Sequence, residues 1–250
     1  MARIICIANQ KGGVGKTTTA INLAVALAKA AQRTLLIDLD PQCNATTGLD
    51  LAPTDRHPLV LQQSLREAIQ TTAIEGLDLL PGSRSFQDVE TLASDDQPQP
   101  QAAVLQSHLE RGMAGYDFVL IDCPPSVGKL TQTALAASTE VLMPIQCEYF
   151  AMEGLTQMIQ VIRGVMQQKP DRLAFGGIVL TMHDPRLELT AEVEEEVRDF
   201  FGEVVFDTVV PRDVLVSEAP SHGRSVIDHA PRSRGARAYI ELCMEVLERD

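Results

Sequence analysis

Short strand-like runs alternate along the chain with longer segments in which apolar residues recur at helical spacing. The strand-like runs are residues 4–8, 34–39, 77–80, 118–121, 140–145, 175–180 and 204–210. Apolar runs of this length are typical of strands buried on both faces of a parallel sheet. Helical segments include residues 20–28, 188–201 and 232–248. The pattern predicts an α/β fold: a single doubly wound domain over residues 1–250, with a mainly parallel, twisted sheet of seven or eight strands.

Other stretches carry weaker signals. Residues 43–58 are expected to form a loop, and residues 59–69 favour a short helix. The polar, proline-containing stretch ASDDQPQPQ at residues 93–101 indicates a solvated surface loop. Pro144 has no amide hydrogen to donate, so we expect it at the end of its strand.

Composition supports a folded core but not a protein that coats nucleic acid through its overall charge. Apolar residues make up 45% of the chain, and no run approaches the roughly 18 apolar residues of a membrane span. Because the first strand begins almost at Met1, we expect no signal peptide. The formal net charge is −13, so any DNA binding must come from a local basic patch and be weak and sensitive to salt.

The cysteines provide no sign of a metal centre or of disulfides. They stand at positions 6, 43, 123, 147 and 243, and none form a CxxC pair. Three of them lie in or beside apolar runs. We therefore expect them to act as small buried hydrophobic side chains in a reducing cytoplasm.

A glycine-rich turn, K-G-G-V-G-K-T-T, joins the first strand to the first helix. Its glycines allow backbone N–H groups to curl around a polyphosphate, and the helix N-terminus adds positive potential. In such loops the lysine, here Lys16, reaches the β- and γ-phosphates, and the hydroxyl of Thr17 ligates Mg²⁺. The nucleotide-binding residues expected in this turn are Lys11, Gly12, Gly13, Val14, Gly15, Lys16, Thr17 and Thr18.

The turn departs from the consensus G-x-x-x-x-G-K-[ST], because Gln10 occupies the position of the first glycine. Its form, with Lys11 ahead of two glycines, resembles the deviant Walker A motif of the ParA/MinD group of P-loop ATPases. The resemblance implies that Lys11 contacts the phosphates of the nucleotide held by the partner subunit of a dimer.

Acidic residues follow two of the strand-like runs. The stretch D-L-D-P-Q begins at Asp38, and strand alternation puts Asp38 and Asp40 on one side of the strand's carboxyl end, where open α/β sheets bind ligands. The stretch D-C-P-P-S begins at Asp122 and follows a Walker B-like apolar run. Resemblance to ParA proteins implies that Asp40 orients the attacking water, that Asp38 lies near Mg²⁺, and that Asp122 holds Mg²⁺ through water.

Two later segments extend the resemblance. Residues 148–155 begin a helix that either lies near the nucleotide and the dimer seam, as in relatives, or packs in the core. Residues 210–223, V-P-R-D-V-L-V-S-E-A-P-S-H-G, resemble the adenine-side loop of Soj-type ParA proteins, which implies nucleotide contacts from Pro211, Arg212 and Asp213. Asp213 stands where these proteins usually have asparagine, and an aspartate can only accept hydrogen bonds.

The resemblance also indicates where DNA would be contacted. Leu215 replaces one arginine that relatives use for DNA phosphates, whereas Arg186 aligns with a second one. Arg224 and Arg234 are further candidates for DNA binding. Other arginines that could add charge nearby are Arg212, Arg232 and Arg237.

The resemblance covers essentially the whole chain and implies a ParA/Soj-type partitioning ATPase. Such a protein hydrolyses ATP with Mg²⁺ through Lys11, Lys16 and Asp40, and it forms a homodimer when ATP is bound. The dimer binds duplex DNA without sequence preference and segregates a chromosome or plasmid with a ParB-like partner. The expected location is the cytoplasm, with nucleoid association in the ATP-bound state.

Two alternatives would use the same ATPase site. A ParA-like protein that positions another cargo is compatible with every motif above. A MinD-type membrane ATPase requires a C-terminal amphipathic helix with a basic face. Residues 240–250 carry mostly acids, which an anionic bilayer repels, so we expect no membrane binding.

Overall fold

The computed structural model of the chain describes residues 2–61, 64–86, 107, 115–149, 151–168 and 172–249. Its strands form one eight-stranded sheet in the order β3-β4-β2-β5-β1-β6-β7-β8. The strands are β1 Arg3–Ile7, β2 Thr34–Asp38, β3 Gln70–Thr71, β4 Leu77–Leu80, β5 Phe118–Asp122, β6 Glu140–Gln146, β7 Ala174–His183 and β8 Val205–Pro211. All neighbouring strands are parallel except β3 and β4. This confirms the expected mainly parallel sheet.

Helices cover both faces of this sheet. They are α1 Lys16–Lys29, α2 Asn44–Thr47, α3 Pro58–Leu61, α4 Lys129–Ala137, α5 Ala151–Gln168, α6 Glu188–Phe201, α7 Val214–Glu218, α8 Val226–His229 and α9 Arg234–Glu248. Short 3₁₀ segments add Leu65–Glu67, Gly202–Val204 and Ala219–His222. The loop expected at residues 93–101 lies outside the described residues.

The core consists of two apolar layers, one on each face of the sheet. Successive residues of β1 point into different layers, with Ile4 and Cys6 in one layer and Ile5 and Ile7 in the other. The first layer also contains buried residues of α4, α5 and α6, whereas α1 and α9 contribute to the second. Burial on both faces explains why these strands are continuously apolar.

Two local expectations were wrong. Pro144 lies inside β6, paired with Val179 of β7. Its carbonyl faces the β1 side, where it accepts from the Asn9 side chain at 2.8 Å. The missing amide hydrogen would point to that same side, beyond the last β1–β6 pair at Ile7 and Leu142, so the proline removes no bond from the β6–β7 ladder.

The second error concerns the single helix expected over residues 59–69. The described residues form α3 and the separate 3₁₀ turn Leu65–Glu67, followed by the edge strand β3. The expected loop at residues 43–58 likewise contains the one-turn helix α2. These elements are too short to produce a periodic pattern.

The part of the chain that the structure describes has no helix long and apolar enough to cross a membrane.

All five cysteines are buried as free thiols. This confirms their expected packing role.

A buried histidine near α3 makes the stability depend on pH. His57 accepts a hydrogen bond from the Leu59 amide at Nδ1 and packs on Phe86 with ring centroids 4.4 Å apart. Burial lowers the pKa of His57 to about 3. An unfolded histidine binds a proton near pH 6.5, so unfolding takes up a proton below that pH.

We therefore expect the protein to lose about 2 kcal/mol of unfolding free energy from this residue between pH 7 and pH 5. Denaturant titrations of the parent and of His57→Leu at both pH values measure this. The parent should weaken more than the variant by that amount. Equal losses in the two proteins would show that His57 does not titrate on unfolding.

Candidate functional site

The carboxyl ends of three adjacent strands meet at the candidate site. β1 lies between β5 and β6, and β5 lies between β1 and β2. The register pairs Ile7 with Asp122 and Asp38 with Asp122. The glycine-rich turn after β1 and the acids after β2 and β5 therefore lie at one edge of the sheet, where open parallel sheets bind ligands.

The glycine-rich turn adopts a conformation suited to an anion. Gly13 and Gly15 have φ values of 77° and 88°, a region that favours glycine. Gly15 caps α1 without any side chain accepting from the first-turn N–H groups. The Thr181 hydroxyl of β7 donates to the Val14 carbonyl at 2.9 Å and so attaches the turn to the sheet. The N–H groups of the first turn are thus available to phosphate oxygens.

Lys16 is buried within the turn. Its ammonium donates to the Lys11 carbonyl at 2.9 Å, and only 6% of the residue is exposed. Burial lowers the pKa of Lys16, while the nearby charges of Asp122 and Asp40 favour the protonated form. The arrangement holds a positive charge inside the loop, where nucleotide phosphates would lie.

Asp122 has the free acceptors of this site. The residue is fully buried, and within the described part of the chain neither carboxylate oxygen accepts a hydrogen bond of ordinary geometry. Burial, and then the neighbouring Asp38, raise the pKa of Asp122 well above its usual range, whereas the hydroxyl of Thr17 and the charge of Lys16 act in the opposite direction. Unsatisfied buried oxygens beside a hydroxyl fit a hard divalent cation such as Mg²⁺.

Asp38, in contrast, is already satisfied by hydrogen bonds. One oxygen accepts from the amide and the hydroxyl of Thr46 at 2.9 and 2.6 Å, and the other accepts from the Asp40 amide at 3.1 Å. Burial raises the pKa of Asp38 to about 6 in spite of these bonds. Asp38 therefore holds the segment 40–46 against β2, and both of its oxygens are already engaged.

Asp40 lies in this held segment, after the end of β2. Its Oδ1 accepts from the Gln42 amide at 2.8 Å, and its carbonyl accepts from the Cys43 amide. Asp40 is only 5% exposed, and its negative charge acts to raise the pKa of both Asp122 and Lys16. A carboxylate is thus held in place near the Lys16 ammonium and the Asp122 carboxylate.

Glu148 is a site residue that the sequence reasoning did not single out. Its carboxylate lies 3.5 Å from the Lys11 ammonium and 3.8 Å from the Arg212 guanidinium, and it accepts from the side chain of Gln146. Glu148 is about half exposed and Tyr149 is 75% exposed. Of the two interpretations of residues 148–155, these two side chains favour a position near the nucleotide, whereas the buried Leu155 packs in the core.

The expected adenine-side residues follow β8. Pro211 ends the strand, and the Arg212 amide donates to the His183 carbonyl at 2.8 Å. Asp213 caps α7 by accepting from the Leu215 amide at 3.1 Å, and its other oxygen accepts from the Gly235 amide of α9 at 3.0 Å. The aspartate therefore binds two helices together, a role that an asparagine would fill with only one acceptor atom.

The arginines expected to contact DNA differ in their surroundings. Arg186 forms a bidentate pair with Asp184, with N···O distances of 2.9 and 2.7 Å, although its side chain is 85% exposed. This pairing lowers the pKa of Asp184 and neutralises the arginine locally. The exposed arginines that form no salt bridge with any described residue include Arg224, Arg232, Arg234 and Arg237.

Comparison with known proteins identifies the family. Residues 2–175 match the model of an AAA domain family. The chain is 44% identical to the sporulation initiation inhibitor protein Soj of Bacillus subtilis, with 98% of each chain covered. The chain belongs to the Soj/ParA family of chromosome-partitioning ATPases. The resemblance inferred from the motifs is confirmed.

Several solved structures with a similar fold have a nucleotide or a nucleotide analogue bound. Cobyrinic acid a,c-diamide synthase from Mycobacterium smegmatis, with ADP and magnesium, has a TM-score of 0.84 and 31% identity over 99% of this chain and 95% of that chain. MinD from Pyrococcus horikoshii, complexed with Mg-ADP, has a TM-score of 0.80 and 30% identity over 98% and 96%. The expected P-loop fold of the ParA/MinD type is thereby confirmed.

Proposed function

We propose that the protein is a Mg²⁺-dependent ATPase that dimerises on ATP, binds duplex DNA without sequence preference and segregates a chromosome or plasmid with a ParB-like partner. The ATP hydrolase activity follows from membership of the Soj/ParA family. The observation that carries the site assignment is the convergence of the Lys16 ammonium, the unsatisfied Asp122 carboxylate and the rigid Asp40 carboxylate at one sheet edge.

Each group has a distinct role in phosphoryl transfer. Lys16 and the backbone N–H groups of residues 12–18 bind the phosphates, and Thr17 and Asp122 would hold Mg²⁺. When bound, the cation would neutralise charge on the phosphate oxygens. Asp40 orients the attacking water and accepts its proton. Positioning and charge neutralisation provide most of the rate enhancement in this chemistry.

The position of Lys11 supports a role across a dimer interface. Its carbonyl accepts from the Lys16 ammonium, and its own ammonium, on a partly exposed side chain, lies 3.5 Å from Glu148. Lys16 already neutralises the nucleotide phosphates from within the same chain. Two nucleotides at a shared interface repel each other, and a lysine from each subunit would offset that repulsion. In the monomer Glu148 holds this lysine, so dimerisation requires the pair to separate.

Lys11→Ala should therefore remain monomeric when ATP is bound. Size-exclusion chromatography with Mg-ATP, in an Asp40→Ala background that preserves the nucleotide, measures this directly. The matched control is Lys29→Ala, which removes an exposed lysine that pairs with Asp228 at 2.7 Å, at the other end of α1. The control should dimerise like the parent. A dimer of Lys11→Ala at the same protein concentration would exclude the role of Lys11 in trans.

DNA binding must overcome a net charge of −13. Screening limits electrostatic attraction to roughly 8 Å at physiological salt, so only a local patch can attract a polyanion. The unpaired arginines at residues 224–237 offer such a patch, whereas the charge of Arg186 is offset by Asp184. Two patches on one rigid dimer gain effective concentration, which makes binding depend on ATP without any new contact.

We expect gel shifts of duplex DNA only with Mg-ATP, for the Asp40→Ala protein, and only at low salt. The double variant Arg224→Glu, Arg234→Glu should abolish the shift while dimerisation persists, because it reverses two unpaired charges. Arg186→Glu should weaken binding less than this double variant, because the charge of Arg186 is already offset by Asp184. Arg66→Glu, near Tyr116 at the amino-terminal end of β5, serves as the control and should bind normally.

Other outcomes of this experiment favour a different cargo. Equal DNA binding with ADP, or no binding at any salt, would favour a ParA-like ATPase that positions another cellular cargo. Capture of the protein encoded next to this gene then distinguishes DNA segregation from the positioning of another cargo. A ParB-like DNA binder would support segregation, whereas a scaffold protein would support cargo positioning.

The terminal helix argues against the membrane alternative. Leu242 and Val246 of α9 are buried in the core layer shared with α1. The exposed apolar residues of this helix, Ile240 and Met244, lie among glutamates. An apolar face packed in the core and an acidic outer face over residues 240–248 do not fit insertion into an anionic bilayer.

A further inference from the structure

Three side chains with metal-binding groups lie together outside the nucleotide site. Glu218 ends α7, His222 ends the 3₁₀ segment that follows it, and His229 ends α8. The His222 Nε2 atom lies 3.6 Å from a carboxylate oxygen of Glu218. The rings of His222 and His229 stack with centroids 4.7 Å apart and planes 18° from parallel. One ligand atom from each residue lies within 4.8 Å of the other two.

The backbone that presents these side chains is held in place. The turn at Gly223 has a φ of 63° and is closed by a bond from the Arg224 amide to the Ala219 carbonyl at 3.2 Å. The Val226 amide donates at 2.8 Å to the buried side chain of Asn22 in α1. Ala219, Val226 and Ile227, which belong to the same segments, are buried.

The side chains themselves face outward. Glu218 and His222 are about half exposed, and the ring of His229 forms no hydrogen bond with any other residue that the structure describes. Nothing in the core therefore prevents small rotations about their side-chain bonds. A fixed backbone with adjustable side chains is a favourable starting point for metal binding, since little order has to be gained on binding.

The donor set selects the class of ion. Two imidazoles and one carboxylate are ligands typical of Zn²⁺ and neighbouring transition metals, whereas Mg²⁺ and Ca²⁺ prefer oxygen alone. Ligands bonded at about 2.0–2.1 Å around a tetrahedral ion are roughly 3.4 Å apart. The observed separations, up to 4.8 Å, require shifts of only about 1 Å in partly exposed side chains.

We propose that Glu218, His222 and His229 form a binding site for a transition-metal ion of the Zn²⁺ class. The ion would link the end of the 3₁₀ segment to the end of α8, on either side of Arg224. It would stabilise the folded segment, because the unfolded chain does not hold the three ligands together. This site is separate from the Mg²⁺ position at Asp122 and does not depend on the proposed function.

The test uses the full chain saturated with Mg-ADP, titrated with Zn²⁺ by calorimetry and with Co²⁺ by visible absorption. We expect one ion per chain, a Co²⁺ spectrum without thiolate bands, and a higher melting temperature with Zn²⁺. His222→Ala and His229→Ala should each weaken binding by about tenfold or more, since even removal of groups that merely support a ligand costs ten- to a hundredfold.

Two control proteins make the outcome decisive. Asp122→Asn removes the negative charge and one of the two acceptor oxygens at the nucleotide site, and it should bind Zn²⁺ like the parent. Glu218→Gln keeps the size of the side chain and should weaken the affinity without changing the melting temperature of the metal-free protein. Equal Zn²⁺ affinity in the parent and His229→Ala, or loss of binding only in Asp122→Asn, would overturn the proposal.

Discussion

Asp40→Ala should bind ATP with unchanged affinity but hydrolyse it at least about a hundredfold more slowly. A loss of this size in the hydrolysis rate is expected when a positioned proton acceptor is removed. The carboxylate lies beside Lys16 and Asp122, but it is not part of the turn whose N–H groups bind phosphate. Its removal therefore affects the water and not the nucleotide. Equilibrium dialysis of ATP and single-turnover hydrolysis measure the two effects separately.

Asp40→Asn is the matched variant for this experiment. The amide oxygen can still accept from the Gln42 amide, so the local turn is preserved. If the carboxylate itself is needed to accept a proton, Asn should be as inactive as Ala. Rescue of turnover by Asn would mean that Asp40 acts only by holding the segment 40–46. Normal turnover in Asp40→Ala would remove Asp40 from the mechanism altogether.

Lys16→Met should bind nucleotide with an affinity lowered by about a hundredfold or more. Charge-assisted hydrogen bonds contribute roughly 1.5–3 kcal/mol each, and the lysine of such a loop contacts more than one phosphate. Methionine has similar length and suits a buried position. The nucleotide-free protein should keep or raise its melting temperature, because burial already opposes the charged form of Lys16. Thermal melting with and without Mg-ADP measures both effects.

Lys11→Met provides the matched control in the same assay. Its side chain is partly exposed and its ammonium lies 3.5 Å from Glu148. If Lys11 acts only across the dimer interface, the variant should be stabilised by Mg-ADP as strongly as the parent. A loss of ADP binding comparable to that of Lys16→Met would mean that Lys11 serves the nucleotide of its own subunit.

Local patterns in the sequence were sufficient for most of the fold. Strands buried on both faces must be continuously apolar, so β1, β2 and β5 could be recognised directly, and the periodicity of α6 matched Glu188–Phe201 residue for residue. The exposed two-residue strand β3 escaped notice because it carries no apolar pattern. Pro144 was misplaced because its effect depends on which neighbouring strand its nitrogen faces, and only the register reveals that.

The site shows the same division. The glycine-rich turn and the acids at the strand ends could be predicted as a site from contiguous residues, and the resemblance to ParA proteins supplied the roles of the acids. Only the tertiary structure decided that Asp122 has free acceptors while Asp38 is bound to Thr46. It also decided that Glu148 holds Lys11.

The same holds for the residues at the rim of the site. Asp213 caps α7 through the Leu215 amide and also accepts from the Gly235 amide of α9, and Asp184 neutralises Arg186. The sequence determines which groups can donate, accept or carry charge. Which of them remain available to a ligand depends on partners brought together by the fold, many of them far away along the chain.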